Sequence, residues 1–223
     1  MNKIAIAIDG PSAAGKSTIA KEIAEKLDYI YVDTGALYRA IALNVILNGG
    51  DTENEEQVLS VLEKTKISIK YENKLQRVIL NGKDVSEEIR EPRMSMAASN
   101  VSKLAGVRSF LMDLQRDMAK NYNVVMDGRD IGTVILPQAA VKIFLTAAPE
   151  ERAKRRFLEY KEKGISVQLD ELIAQTKQRD YNDSHREVSP LKPCEGAHVV
   201  DSTHLNFKET TDHILSIIGD ELK

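Results

Sequence analysis

The sequence predicts an α/β fold: a doubly wound, five-stranded parallel sheet with helices on both faces, a small β-containing insert and a helical lid. Three observations predict it. Short apolar runs alternate with segments of helical periodicity, the first run is apolar at every position, and one stretch near residue 70 breaks the alternation. Alternating β and α segments give a parallel sheet, because each crossover helix returns the chain to start the next strand in the same direction. A length of 223 residues suits one such core with smaller appendages.

Ile4-Ala5-Ile6-Ala7-Ile8 is the first strand, and its two apolar faces place it inside a covered sheet. Over 16–28, Ile19, Ile23 and Leu27 recur at helical spacing beside Ala20 and Ala24. Further strands are expected at 29–32, 123–126, 140–145 and 198–200. One helical stripe runs through Val101, Leu104, Val107, Leu111, Leu114 and Met118. A last helix is expected to start at Asn206, an N-cap with Glu209 three residues on, and to bury Ile214, Leu215 and Ile218.

The break lies at 66–80. Residues 66–71 alternate, with Ile67, Ile69 and Tyr71 on one face; 76–80 form a second run, and 71–75 read as a polar turn between them. Asn81-Gly82 is a further turn signal. An antiparallel hairpin cannot continue a right-handed crossover, so 62–93 is expected as an insert beside the core.

Composition narrows the partners. The net charge of -3 argues against bulk attraction to nucleic acid or anionic lipid, so any anion must be held by local basic clusters. The single cysteine, Cys194, cannot form an internal disulfide, and four scattered histidines lack zinc spacing. The first apolar run is too short for a signal peptide, and no later one could span a bilayer. A cytoplasmic monomer without nucleic-acid or membrane partners is expected.

Gly10-Pro11-Ser12-Ala13-Ala14-Gly15-Lys16-Ser17 fits G-x-x-x-x-G-K-[ST] between a predicted strand and helix. Such a P-loop wraps phosphates with main-chain N–H groups, and the helix N-terminus adds partial positive charge. Lys16 is expected at the β/γ-phosphates of ATP and Ser17 at Mg²⁺, with Thr18 completing the nucleotide site. Asn81-Gly82-Lys83-Asp84 superficially resembles the N-K-x-D of guanine-reading switches, but its order differs and it follows a hairpin, so it reads as a turn.

A phosphorylated acceptor would need cations of its own, and three segments offer them. Asp33-Thr34-Gly35-Ala36-Leu37-Tyr38-Arg39 follows the second strand. Asn123-Val124-Val125-Met126-Asp127-Gly128-Arg129-Asp130 delivers Asp127 to a strand's carboxyl end, where it can hold Mg²⁺ through water while Arg129 bridges phosphates. Arg152, Arg155 and Arg156 share one helix face, a costly grouping unless an anion answers it, and Arg179, Asp183 and Arg186 recur at similar spacing. The segment between these clusters, with Gly164 and few apolar residues, suits a lid that excludes water.

These motifs together resemble the bacterial cytidylate kinases: the phosphate loop, Asp33 to Arg39, Asp127-Gly128-Arg129-Asp130-Ile131-Gly132-Thr133, and Arg179-Asp180 leading to Asp183 and Arg186. The insert with Asn81-Gly82-Lys83-Asp84-Val85 also resembles that family's extension. The resemblance implies transfer of the ATP γ-phosphoryl to CMP or dCMP with Mg²⁺. It implies a P-loop core at 1–32, 94–148 and 187–223, an acceptor region at 33–93 and a lid at 149–186. It further implies that Arg39 and Arg129, assisted by Arg186, hold the acceptor phosphate. Thr34, Arg108 and Asp130 would read the base, and Ser99, Arg179 and Asp183 would lie near the sugar. Lys16, Arg129, Arg152, Arg155 and Arg156 would carry catalysis. Cytosine offers a donor at N4 and acceptors at N3 and O2, which a carboxylate beside an arginine complements; Asp130 or Asp183 could supply it, with Asp130 preferred. A P-loop kinase for another small acceptor and a nucleotide-dependent switch remain as alternatives.

Overall fold

The computed structural model describes residues 3–72 and 75–223. The first βα unit is β1 (Ala5–Asp9) and α1 (Lys16–Leu27), followed by β2 (Ile30–Asp33) and α2 (Thr34–Leu47). Next come α3 (Glu55–Leu62), β3 (Ile67–Glu72), β4 (Leu75–Leu80) and β5 (Lys83–Asp84). Then follow α4 (Met94–Ser102), α5 (Ala105–Asn121), β6 (Val124–Gly128), a π-helical turn (Ile131–Ile135) and β7 (Val141–Thr146). The chain closes with α6 (Pro149–Glu162), α7 (Leu169–His185), β8 (His198–Asp201) and α8 (Phe207–Glu221).

Among the described residues, five strands form one parallel sheet in the order β2-β6-β1-β7-β8, and β3-β4-β5 form a separate antiparallel sheet. Apolar residues on both faces of β1 explain its central place. Ile6 and Ile8 pack with Ile19 and Ile23 of α1 and with Ile214 and Ile218 of α8, whereas Ala7 faces the other way, in a cluster with Met112 and Met118 of α5. Each fully buried large aliphatic contributes about 1.5–3 kcal/mol, so this sandwiched sheet anchors the molecule. The expected capping box of α8 is present, with Asn206 and Glu209 exchanging side chain and main chain bonds.

The insert departs from expectation in one respect. Asn81 and Gly82 adopt φ values of 50° and 87°, the left-handed pair of a type I′ turn, and so add a third strand, β5, paired Leu80↔Lys83. At two residues, β5 carries no readable alternation. The expected turn at 71–75 includes Asn73 and Lys74, which lie outside the described residues. The stripe from Val101 to Met118 is also not one helix. The chain breaks at Lys103 and Leu104 between α4 and α5, while the apolar spacing carries through the break.

A further buried cluster joins Leu37, Ile41 and Val45 of α2 to Val78 and Leu80 of β4, Met94 and Val101 of α4, and Val107 and Leu111 of α5. The boundary expected between residues 93 and 94 thus falls inside one packed unit. At the other end, α6 and α7 pack as a helical hairpin, with Gly164 at φ 70° in the connection. No helix among the described residues is long and apolar enough to cross a membrane.

Candidate active site

The phosphate loop connects β1 to α1 where the sheet's carboxyl edge opens. Gly10 has no substitute here. A Cβ on it would lie 1.9 Å from the Leu145 carbonyl oxygen, so the loop can turn against β7 only without a side chain. Ala13 and Gly15 both sit at positive φ, 59° and 91°, which turns successive N–H groups inward as an anion nest. Gly15 at the N-cap of α1 supplies no side-chain cap, so the first N–H groups of that helix stay open to a ligand.

Lys16 reaches across the loop, its Nζ donating to Pro11 O at 2.7 Å. Burial, then the nearby Arg129 guanidinium, push its ammonium well below the ordinary lysine range. Ser17 Oγ donates to Asp127 Oδ2 at 2.8 Å, and Tyr31 hydroxyl donates to Asp127 Oδ1 at 2.9 Å. Burial, reinforced by Asp33, raises the Asp127 carboxyl to about 6. A buried carboxylate beside a hydroxyl is a hard oxygen pair of the kind Mg²⁺ accepts, with water and phosphate oxygens filling the rest of its shell. These two residues fit that ion, and the cation would relieve the burial cost of Asp127.

A cleft of about 680 Å³ runs from this loop toward the insert. Ser12, Ala13, Gly15, Lys16, Ser17 and Thr18 line one end; Gly10, Pro11 and Ala14 are buried and do not line it. Thr34, Arg39, Ser99, Arg108, Arg129, Asp130, Arg179, Asp183 and Arg186 line the remainder. The first strand-end Asp33 N-caps α2 through Ala36 N at 2.9 Å and accepts from Arg39 Nη2 at 2.8 Å. Thr34 Oγ1 donates to Asp127 O at 2.8 Å, which ties the start of α2 to the end of β6.

Arg108, Arg129, Arg179 and Arg186 are each held by a partner. Arg129 Nε donates to Asp183 Oδ2 at 3.0 Å, across from α7. Burial alone would raise Asp183, but Arg129 and Arg179 outweigh it and hold the carboxyl below its ordinary range. Arg108 and Asp130 form a buried ion pair, with Arg186 Nη2 at 3.8 Å from the other Asp130 oxygen. Arg179 Nη1 donates to Ser12 Oγ at 3.1 Å and also to Ser95 Oγ. Burial and then Arg129 push the Arg179 guanidinium down to about 9.

Several buried polar atoms of these residues still lack a hydrogen-bond partner among the described residues: Arg39 Nε, Ser99 Oγ, Arg179 Nε and Arg186 Nη2. Unmet donors of this kind cost 1 kcal/mol or more, on the order of magnitude of a lost bond, and an anionic, hydroxyl-bearing ligand would satisfy them.

Within the arginine stripe of α6, Arg152 differs from expectation. Arg152 is 2% exposed, pairs with Asp180 and donates to Ala147 O and Ser12 O; it does not line the cleft. Arg155 reaches Ser202 O at 2.6 Å, and Arg156 Nη2 reaches Ser95 Oγ at 3.0 Å, both from the cleft wall. A carboxylate answers Arg152 where an anion was expected, because α7 packs against that helix, whereas Arg155 and Arg156 lean on serine oxygens and keep their charge for the cleft. Ser95, Arg90, Lys21 and Tyr31 also line the cleft, and sequence reading passed them over. None stands in a motif; only Arg90, an arginine on the insert's flank, offered a usable signal.

The family model for cytidylate kinase matches residues 6–220. The chain is 53% identical to the cytidylate kinase of Caldicellulosiruptor saccharolyticus, covering 100% of both chains. It is 47% identical to that of Bacillus cytotoxicus, covering 99% of this chain and 98% of the other. Among solved structures, an uncharacterized protein from Eubacterium ventriosum aligns with TM-score 0.52 at 15% identity, over 98% of this chain and 99% of that one; the likeness is of fold alone.

Proposed function

The chain belongs to the cytidylate kinase family, and from that premise we propose that it transfers the γ-phosphoryl group of ATP to CMP or dCMP, giving ADP and CDP or dCDP. One observation carries the reading: an open P-loop and a set of arginines from four separate segments line opposite parts of one cleft. An enzyme joining two phosphoesters must hold both anions nose to nose and screen their repulsion.

In this reading ATP lies on residues Gly10 to Thr18, and Lys16 follows its β- and γ-phosphate oxygens. Arg39 and Arg129, with Arg186, grip the acceptor phosphate. An acceptor oxygen attacks the γ-phosphorus, the bond to the β,γ-bridging oxygen breaks, and ADP leaves with that electron pair. The attacking oxygen is already anionic, so no strong general base is required. Lys16, Arg129, Arg156 and Arg155 oppose the charge that develops. Arg152 serves instead by fixing Asp180 and the Ser12 carbonyl, so that α6, α7 and the loop hold one geometry. Ser17 and, through water, Asp127 would hold Mg²⁺, which supplies charge neutralisation on the phosphate oxygens.

Asp130 beside Arg108 reads the cytosine amino group and ring acceptors, helped by Thr34. Asp183 is committed to Arg129 and Arg179 near the sugar, with Ser99 supplying a hydroxyl there. The acceptor region spans 33–93 and extends through α4, and 149–186 acts as the lid. A monomer in the cytoplasm, serving pyrimidine nucleotide metabolism without nucleic-acid or membrane partners, fits this chemistry.

The test is ADP release with CMP, dCMP, UMP, AMP and shikimate. CMP and dCMP should accelerate it most. Equal acceleration by another acceptor would move the assignment to a different kinase, and no acceleration over water would leave a nucleotide switch.

A further inference from the structure

We propose that Gln76, on the insert, is a positioning residue for the acceptor phosphate, acting through the edge strand that orients Arg39. The proposal rests on the acceptor role given to Arg39 above.

The edge of the main sheet is β2. Ile30 N bonds to Asn123 O on the β6 side, so the main-chain groups of Tyr31 and Asp33, on alternate residues, face the open edge. Open edges of this kind are usually capped or blunted. Here two side chains from the insert close it. Tyr71 and Gln76 are register partners across β3 and β4. Tyr71 hydroxyl donates to Tyr31 O at 3.1 Å. Gln76 Oε1 accepts from Asp33 N at 2.8 Å, and Gln76 Nε2 donates to Asp33 O at 3.1 Å. A carboxamide carries one donor face and one acceptor face, so it replaces the peptide group that a neighbouring strand would present.

Asp33 is not a passive edge residue. One of its oxygens caps α2 and the other orients Arg39. Arg39 lines the cleft with its Nε still unpartnered among the described residues. The link therefore runs from Gln76 to the Asp33 main chain, to its carboxylate, to the guanidinium. Gln76 itself lies outside the cleft, so its influence on substrate is indirect.

The experiment compares the full chain with Gln76→Leu, Gln76→Glu and Tyr71→Phe, reading KM for CMP and for ATP, together with amide exchange at Asp33 and Ala36. Losing two hydrogen bonds should raise KM for CMP about tenfold in Gln76→Leu while KM for ATP stays unchanged. Gln76→Glu, whose carboxylate would face the Asp33 carbonyl, should raise it similarly, and Tyr71→Phe should raise it less. Exchange at Asp33 and Ala36 should quicken. A folded Gln76→Leu with an unaltered KM for CMP, or with both KM values raised equally, would overturn the proposal. If that variant does not fold, Gln76→Glu decides by the same split. Should the parent chain not phosphorylate CMP at all, the kinase reading fails; the clasp is then judged by exchange alone, and unaltered exchange at Asp33 and Ala36 overturns it.

Discussion

The two ends of the cleft hold anions by different means. At the phosphate loop, main-chain N–H groups and one lysine do the work, and their geometry is set mainly by local torsions within residues 10–18. At the acceptor end, guanidinium groups arrive from α2, α5, the turn after β6, and α7, and each is braced by a carboxylate or hydroxyl from elsewhere. A main-chain cradle is largely insulated from distant substitutions, the braces on Ser12 from Arg152 and Arg179 apart. A braced side-chain surface is not, because each brace is itself held by packing. Changes at the loop should therefore strike turnover, and changes among the braces should strike stability or acceptor binding.

The largest effect should come from Lys16→Ala, which removes the one cation of the cradle. Turnover should fall about 10²–10³-fold, in the range of other preorganised electrostatic donors, with CMP affinity unchanged. Steady-state kinetics beside calorimetric CMP binding checks it. A matching loss of CMP affinity would erase the distinction between the two ends.

Next is the buried Arg108–Asp130 pair, whose side chains are 4% and 6% exposed. Arg108→Met leaves the Asp130 carboxylate with only the longer contact to Arg186 and should cost about 3 kcal/mol in denaturant unfolding. The double change Arg108→Met with Asp130→Leu should recover most of that stability without recovering selection of CMP over UMP. Recovery of both would mean that the pair serves packing only.

The two ends meet at Asp9, the residue before the loop, whose carboxylate accepts from Ile131 N and Gly132 N at 2.8 Å each. Burial outweighs those bonds and raises its carboxyl from 3.8 to about 6. A folded value above the unfolded one favours the protonated native state. Its contribution is full below pH 3.8 and is lost as pH rises through about 6. A rise from 3.8 to about 6 corresponds to about 2–3 kcal/mol, so the parent chain should lose stability between about pH 4 and 6.5 by that order relative to Asp9→Asn. Identical pH profiles would contradict it.

A smaller change is expected from Asp183→Asn, which leaves Arg129 and Arg179 without their shared carboxylate. KM for CMP should rise about tenfold while KM for ATP holds, as measured by initial rates.

The same contrast explains what could be read from the sequence. The sheet, its strand-ends and the phosphate loop were legible because Ile4 to Ile8 and Gly10 to Ser17 are contiguous, and local patterns govern contiguous structure. The hairpin at 66–80 was legible by alternation, but β5 was not, since two residues show no period. The break at Lys103 and Leu104 hid behind a spacing that both helices share. Arg152 shows the limit most plainly: its neighbours in sequence are Arg155 and Arg156, yet its partners are Asp180 and Ser12 O. Spacing reports which side chains share a helix face, not which other element packs against it. Ser95 and Gln76 went unread for the same reason.

The direct test of two facing anion sites is binding of a molecule in which adenosine and cytidine are joined 5′ to 5′ by a polyphosphate chain. One molecule per chain should displace both ATP and CMP, and it should bind about 100-fold or more tightly than either nucleotide alone, because the second site is then filled intramolecularly. Displacement of ATP alone, with CMP still binding beside the linked molecule, would contradict the account.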